Sequence, residues 1–548
     1  MLTENRKFIF VTTIVIILFF VLSIFSVFFL NTWFDEANLG YKAWLTGENL
    51  ASPFVDFTMK YPPVAFYSQV FLQDLFGPSL FTGRLFSVFF LLLSLMVLFS
   101  LISRISNKWV GLLAVSLFVF NPYLIGYYSS ALPYSLAMFF SMLSIWFLVN
   151  KTEDNNKKII YAIVLSSITA SMAFLVRYNM LPLLIVLWFF IFLRWRKLRY
   201  LVYSVLTSFF VILILLIPFL RIDFQYTMIG ILAMFGPLAP AFLLGEYSFT
   251  SAATQFWGSR LDVLVSVMTR YFHLWIIFIA WLFFVAKYIL LKLKNRNDLV
   301  KYIKVVCKKN SILLLSALLT VLFFAAHFLS FGQPAFEIYS LYFAPFLIIT
   351  VSLVVGRAYN FVKSESTPIV SSTFIYLVVV VVLLVPFSVG SFNYVDKISN
   401  PLHFSDSDIN RVIIGANFLK SITTPDDLIL TLDDPHHVFL AGRYEIPPLI
   451  NKHFTYRESN NTEILKRFNF YNADMFMKWA NEKATVIVYQ RGILDERLNA
   501  IGDNRDFIIE DFKQILQDKF ELIGSIENVY PRKYTSGISI MDVYKRKK

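Results

Sequence analysis

About eleven separate stretches of the chain are each long and apolar enough to cross a bilayer, and that recurrence leaves few folds open. They fall at roughly 8–30, 80–103, 109–127, 131–150, 158–176, 179–193, 200–220, 266–291, 311–330, 338–356 and 368–391. A helix rising 1.5 Å per residue needs about 20 such residues to traverse ~30 Å of hydrocarbon, where every backbone N–H and C=O must be satisfied within the segment. Composition agrees, with 57% of the 548 residues hydrophobic and 16% charged, against about a quarter charged in soluble domains. The expected fold class is a polytopic α-helical membrane protein. The first stretch is longer than the core of a secretory signal and no small-residue cleavage site follows it, so it reads as a retained span.

Basic residues set the expected orientation, because Lys and Arg in short loops are held on the cytoplasmic side. With Arg6 and Lys7 inside, alternate loops carry Arg104 and Lys108, then Lys151, Lys157 and Lys158, then Arg194, Arg196, Lys197 and Arg199, then the basic run over 287–309, then Arg357 and Lys363. An odd number of spans places Asp35, the connections near Tyr128, Arg177 and Gln333, and the tail after about residue 389 on the outer face, in a multi-pass protein of the plasma membrane. The formal charge of +13 sits largely in those short loops, beside anionic lipid headgroups, which argues against a nucleic-acid partner. The single cysteine, Cys307, excludes an intrachain disulfide.

Two further apolar stretches are interrupted, 64–76 by Gln69, Gln73 and Asp74, and 228–244 by Gly236, Pro237 and Pro240. Counting one of them as a span would invert the charge asymmetry of every later loop, so both read as segments lying on the outer leaflet. Beyond about residue 390 the chain turns polar. Residues 1–396 are therefore assigned to the membrane domain and 397–548 to a soluble extracytoplasmic domain. Helical periodicity over 409–422, 462–479 and 506–519 alternates with short apolar runs at 428–432, 485–489, 521–526 and 537–544, the pattern of a small α/β layer structure.

The residues able to carry chemistry collect at the outer ends of the spans. Asp35 and Glu36 stand where the first span leaves the bilayer, leading into a short amphipathic helix stopped by Gly47. Acids drawn into lipid cost a few kcal/mol, which makes them functional candidates; the bland alternative is a helix's first turn, where negative charge complements the dipole. Pro62 and Pro63 preset an extended lead into a helix. Lys60, Arg84 and Arg177 could each hold a phosphate, Arg177 ahead of Lys60 through its planar fork, or could snorkel to the headgroups. Gln333, Glu337 and Tyr339, followed by Tyr342, offer polar groups to a sugar or form part of an aromatic belt. His273 and His327 read as packing residues on apolar faces. Asp433-Asp434-Pro435-His436-His437 has metal-binding atoms without a metal-site spacing, and Asp-Pro makes a turn there.

The acid pair after the first span, the amphipathic helix, the basic-aromatic-Pro-Pro element at 60–63, the apolar stretch ending in Phe76-Gly77 and the following Arg84-Leu85 resemble the start of the polyprenyl-phosphate-dependent glycosyltransferases of the C superfamily. The pattern is similar to that of the protein O-mannosyltransferases of family 39 and of the lipid A aminoarabinose transferases. The resemblance implies transfer of a sugar from a polyprenyl-phosphate donor to a protein, lipid or glycan acceptor on the outer face. It gives Asp35 the part of catalytic base and Glu36 a supporting one, with Lys60, Tyr61, Arg84, Tyr128, Arg177, Gln333, Glu337 and Tyr339 as substrate contacts.

The chain departs from that pattern in two places. The family's Lys-Pro-Pro stands here as Tyr61-Pro62-Pro63, with Lys60 one position back, and the loop Tyr127 to Tyr134 lacks the second acid that relatives place there. A divalent cation wants several oxygen ligands, so a bound divalent metal is possible but disfavoured, and no cofactor is certain. One carboxylate can suffice: a lipid phosphate leaves as a weak base, whereas the alkoxide that leaves a glycosidase must be protonated by a second acid. The alternative reading is a transporter or flippase of lipid-linked sugars, a class marked by inverted repeats and broken midplane helices.

Overall fold

The computed structural model describes residues 2–29, 34–53, 56–57, 61–149, 156–222, 267–268, 271–293, 311–326, 339–365, 408–431, 435–451, 462–467, 471–491, 505–530 and 540–547. The stretches expected at 228–244 and 368–391 and the domain boundary near 397 lie outside the described residues, as do Lys60, His327, Gln333, Glu337, Cys307, Asp433 and Asp434.

Six helices among the described residues can each cross a membrane by length and composition. They are Glu4–Phe29 within α1 (Leu2–Phe29), α4 (Leu80–Ile105), α8 (Asn156–Val176), Tyr178–Trp195, which is a 3-10 turn running into α9 (Leu181–Trp195), α10 (Leu198–Ile222), and Ser340–Asn360 within α13 (Ser340–Glu365). Shorter apolar helices among the described residues join the bundle: α7 (Tyr134–Val149), Phe272–Ala286 within α11 (Phe272–Leu293) and Ile312–Phe324 within α12 (Ser311–Phe324). The span expected to run straight over 109–127 is instead a pair, α5 (Lys108–Val119) and α6 (Pro122–Tyr128), bent by 76°. Pro122 cannot donate a backbone N–H and ends α5, and the Asn121 side chain restarts the helix by accepting from the Leu124 amide at 3.2 Å.

Small polar side chains let these helices approach closely. Ser167 on α8 and Ser204 on α10 share a hydrogen bond of 2.6 Å, and Thr350 on α13 donates to Ser316 on α12 at 2.9 Å. Leu85, Phe89 and Met96 leave an exposed apolar stripe on α4, as a lipid-facing side requires.

Helix α3 (Pro63–Phe76) has the reverse polarity of a soluble helix. Tyr67, Phe71 and Leu75 are exposed at four-residue intervals, while Gln69 and Gln73 are buried. Gln73 closes the following turn by bonding both the amide and the carbonyl of Ser79, at 2.9 and 3.1 Å. An apolar stripe turned outward beside the bundle fits a helix lying in a membrane interface.

The C-terminal part forms a five-stranded sheet of order β2-β1-β3-β5-β4 from β1 (Leu428–Thr431), β2 (Tyr444–Glu445), β3 (Val486–Gln490), β4 (Phe520–Glu527) and β5 (Ile540–Arg546). Strand β1 runs parallel to β2 and β3; β5 runs antiparallel to β3 and β4. Alternate residues point to opposite faces. Leu430 and Ile487 pack on α17 (Ala473–Glu482) and α18 (Arg505–Lys519), whereas Ile429, Val486 and Val488 share a core with α14 (Asp408–Ile422) and α15 (His436–Leu440). The helix expected over 462–479 is divided into α16 (Thr462–Arg467) and α17, because Asn472 caps a new start by accepting from the Met475 amide at 3.0 Å. The same core that holds α14 takes in Ala37, Leu39, Tyr41 and Leu45 of α2 (Phe34–Gly47), so the sheet domain and the acid-bearing helix are packed as one body.

Candidate active site

Helix α2 carries both acids in its first turn, and the structure gives them different surroundings. Glu36 is fully buried in a bidentate pair with Arg84 of α4, whose Nη2 donates to Oε2 at 2.8 Å and Nε to Oε1 at 3.1 Å. The Ala131 amide donates to the same Oε1 at 2.5 Å. Arg84 also donates through Nη1 to the carbonyl of Val27, at 3.1 Å, in the last turn of α1. Carbonyls there have no intrahelical partner and form the negative end of the helix dipole, so the guanidinium satisfies a helix end and a carboxylate together. Gly83 is what allows the approach: a Cβ at that position would stand 2.7 Å from the Ala131 Cβ.

Asp35 faces another way and is half-buried. Buried Tyr61 donates its hydroxyl toward Asp35 Oδ1 at 3.3 Å and the Asp35 carbonyl at 3.2 Å. Burial, and next the neighbouring carboxylate, push the Tyr61 phenol well above its ordinary pKa, so it stays a neutral donor. Arg177 occupies the break between α8 and the following 3-10 turn. Its guanidinium lies 4.1 Å over the Tyr134 ring, and its buried Nε has no hydrogen-bond acceptor among the described residues. Asp35 is within electrostatic reach of Arg177, Tyr134 and Tyr339. Tyr342 completes the aromatic wall, its ring centroid 5.8 Å from Tyr134 and 6.1 Å from Tyr339.

Asp35, Tyr61, Arg177 and Tyr339, all expected from sequence, therefore come together, and Tyr134 joins them unforeseen. Two other expected substrate contacts are engaged elsewhere in the structure. Arg84 has no exposed surface and is engaged by Glu36 of α2 and by the last turn of α1. Tyr128 is buried against Phe118 and donates its hydroxyl to the Leu341 carbonyl at 2.6 Å, tying α6 to the start of α13. Lys60, Gln333 and Glu337 lie outside the described residues. His437 packs edge-on against Tyr530, with Nε2 3.0 Å from the Val529 carbonyl. Among the described residues no three His, Cys, Asp or Glu side chains stand close enough to share a metal ion.

A carboxylate, a phenol that orients it and a guanidinium with a spare donor, gathered at one end of a helical bundle, suit the displacement of a phosphate by a nucleophile. Residues 60–222, which carry Tyr61, Tyr134 and Arg177, match the family model described as dolichyl-phosphate-mannose-protein mannosyltransferase. The match takes in fewer than half of the 548 residues. No curated protein matches the sequence.

In three dimensions the chain is similar to ArnT from Cupriavidus metallidurans bound to undecaprenyl phosphate, with a TM-score of 0.54 and 12% identity over 97% of each chain. It is also similar to the Archaeoglobus fulgidus oligosaccharyltransferase in the apo form, with a TM-score of 0.53 and 12% identity over 89% of this chain and 71% of that one. AglB from Archaeoglobus fulgidus, in complex with an inhibitory peptide and a dolichol-phosphate, aligns over 92% and 72% at 11% identity and a TM-score of 0.52. At such identities the likeness is one of fold, and it bears out the expected fold class; the family match over 60–222 bears out the resemblance to the mannosyltransferases.

Proposed function

We propose that this chain is an inverting glycosyltransferase that moves a sugar from a polyprenyl-phosphate donor to an acceptor at the outer face of the plasma membrane. The observation that carries the reading is the convergence of the Asp35 carboxylate and the Arg177 guanidinium on one tyrosine-lined corner. The family match over 60–222 and the shared fold support it over a transporter.

In this reaction Asp35 takes the proton from the acceptor as the acceptor atom bonds to the anomeric carbon. The bond from that carbon to the phosphate oxygen breaks on the opposite face, its electron pair leaves with the lipid phosphate, and the configuration inverts. Arg177 offers its fork to the departing phosphate in a site from which much of the water is excluded, where such a charge is worth most. Tyr61 holds the carboxylate in place by its hydroxyl. Glu36 acts as a positioning residue, being bound up with Arg84 and the Ala131 amide, and the route uses one carboxylate and no metal.

The two ends of the bundle support the orientation. Arg104 stacks on Trp146 at 4.4 Å and Arg194 donates to the Leu148 carbonyl at 2.7 Å, both at the end away from Asp35, where short basic loops belong to the cytoplasm. The sheet domain packed on α2 is then extracytoplasmic. Donors are hexosyl or pentosyl polyprenyl phosphates, and the acceptor is a protein, lipid or glycan.

The test is reconstitution of the full chain in liposomes with a panel of polyprenyl-phosphate sugars and acceptors, with the product identified by mass spectrometry. Sugar transfer should appear with the native chain and vanish with Asp35→Asn while donor lipid still binds. Undiminished transfer by that variant would overturn the reading.

A further inference from the structure

The sheet domain touches α2 through a set of contacts too specific for a tether. The Asn38 side-chain amide donates to the Ile450 carbonyl at 2.7 Å. Tyr41 donates its hydroxyl to the Arg443 carbonyl at 2.9 Å and accepts from the Glu445 amide at 2.8 Å, so one side chain joins α2 to strand β2. Gly40 lies against α15 so closely that a Cβ there would meet the Phe439 ring at 2.8 Å. The β2 end of this contact is itself fixed. Arg443 donates to the Thr423 hydroxyl at 2.9 Å and to the Thr423 and Lys420 carbonyls at 2.7 and 3.0 Å, locking the segment to the C-terminal end of α14.

Asp35 is six residues before Tyr41, about 9 Å along the same stiff helix. On its other sides α2 is fixed at its start by Glu36 on Arg84 and by Tyr61 on Asp35, and further along it packs against Phe66 of α3 and Phe57, whose ring lies 5.4 Å from Lys42 Nζ. A helix pinned at its first turn and along the Asn38–Tyr41 face has its axial position and rotation set by both. We propose that the C-terminal domain is a working part of the active site, and that Tyr41 and the Gly40–Phe439 contact are positioning elements that set where the Asp35 carboxylate stands. The inference rests on Asp35 serving as the base.

The test compares Tyr41→Phe, which removes one oxygen, with Gly40→Ala and the double variant Gly40→Ala/Phe439→Leu, all in the full reconstituted chain. A misplacement of the base should lower kcat about tenfold to a hundredfold, with KM for the donor lipid unchanged. It should also move the acidic limb of the pH-rate profile as Tyr61→Phe does, since either change weakens the Tyr61 bond to Asp35; Arg177, Tyr134 and Tyr339, the other groups facing the carboxylate, are untouched. The Tyr41→Phe and Tyr61→Phe effects should not add. Gly40→Ala should show the same loss, and shortening Phe439 in that background should restore kcat.

Native kcat and pH profile in folded Tyr41→Phe and Gly40→Ala would overturn the proposal. So would losses that track the folded fraction with the profile unmoved. Should Tyr41→Phe not fold, the Gly40 pair decides alone: a loss that Phe439→Leu leaves unrepaired counts against it. Transfer that is abolished by Asp35→Asn yet indifferent to these variants defeats this inference only, whereas transfer indifferent to Asp35→Asn defeats the assignment of the base.

Discussion

The corner around Glu36 and the corner around Asp35 begin from neighbouring residues of one helical turn and are built on opposite principles. Glu36 is dry, bidentate to Arg84 and bonded to a backbone amide, with the guanidinium completed by α1 carbonyls. Asp35 is half-buried, accepts from the neutral Tyr61 phenol, and stands near a guanidinium whose Nε has no acceptor among the described residues. A carboxylate whose lone pairs are taken up by fixed donors holds neighbouring elements together; one left partly accessible beside a cation can still meet a ligand. Adjacent acids in a sequence thus need not share a task.

Substitutions should separate the two corners. Asp35→Asn is the largest expected effect on catalysis, a loss of transfer on the order of 10²- to 10⁴-fold, with thermal unfolding of the detergent-solubilised protein little changed. Arg84→Met breaks the dry corner instead. Removing one partner of a buried pair leaves an uncompensated charge and costs about 3–5 kcal/mol of stability, read as a lower unfolding temperature and a smaller folded yield, while molecules that do fold keep the native KM for donor. Adding Glu36→Gln should recover part of that loss, because the orphaned charge is gone. If Arg84→Met instead leaves stability intact and raises donor KM, the division between corners is wrong.

Arg177→Lys keeps the charge and loses the planar fork, and donor binding should weaken about tenfold, by ~1.4 kcal/mol, as measured by titration with polyprenyl phosphate. Tyr61→Phe is the mildest. The phenol is neutral at ordinary pH and its hydrogen bond favours the ionised carboxylate, so deleting it should carry the acidic limb of the pH-rate profile upward by less than about one unit. Activity at high pH should be nearly unchanged, and a downward shift would contradict the hydrogen bond's assigned direction.

The spans were legible because bilayer length and apolarity speak in windows of single helices, and the strands β1, β3, β4 and β5 because short apolar runs stand out in a polar tail. Asp35, Tyr61 and Arg177 could be picked out because charge or turn chemistry at a span's end is unusual. What escaped depends on partners far away in the chain. The Arg84–Glu36 pair joins residues 48 apart, and nothing local distinguishes that arginine from one that binds phosphate. Tyr134 is a plain helix-start tyrosine until Arg177 lies across it. Strand β2, two residues long, is too short for any period to show. The bend at Asn121-Pro122 was local and readable, but a run of apolar residues on both sides concealed it.

The bond from Asn38 to Ile450 spans 412 positions of sequence. At a synthesis rate of about 5–20 residues per second, α2 leaves the ribosome on the order of 20–80 s before the strand and helix it packs against. On the proposal that the sheet domain positions Asp35, the nascent chain holds an incomplete corner for that interval, and competence arrives only once the sheet domain is made. Premature termination anywhere before the sheet closes should therefore yield an inserted but idle protein.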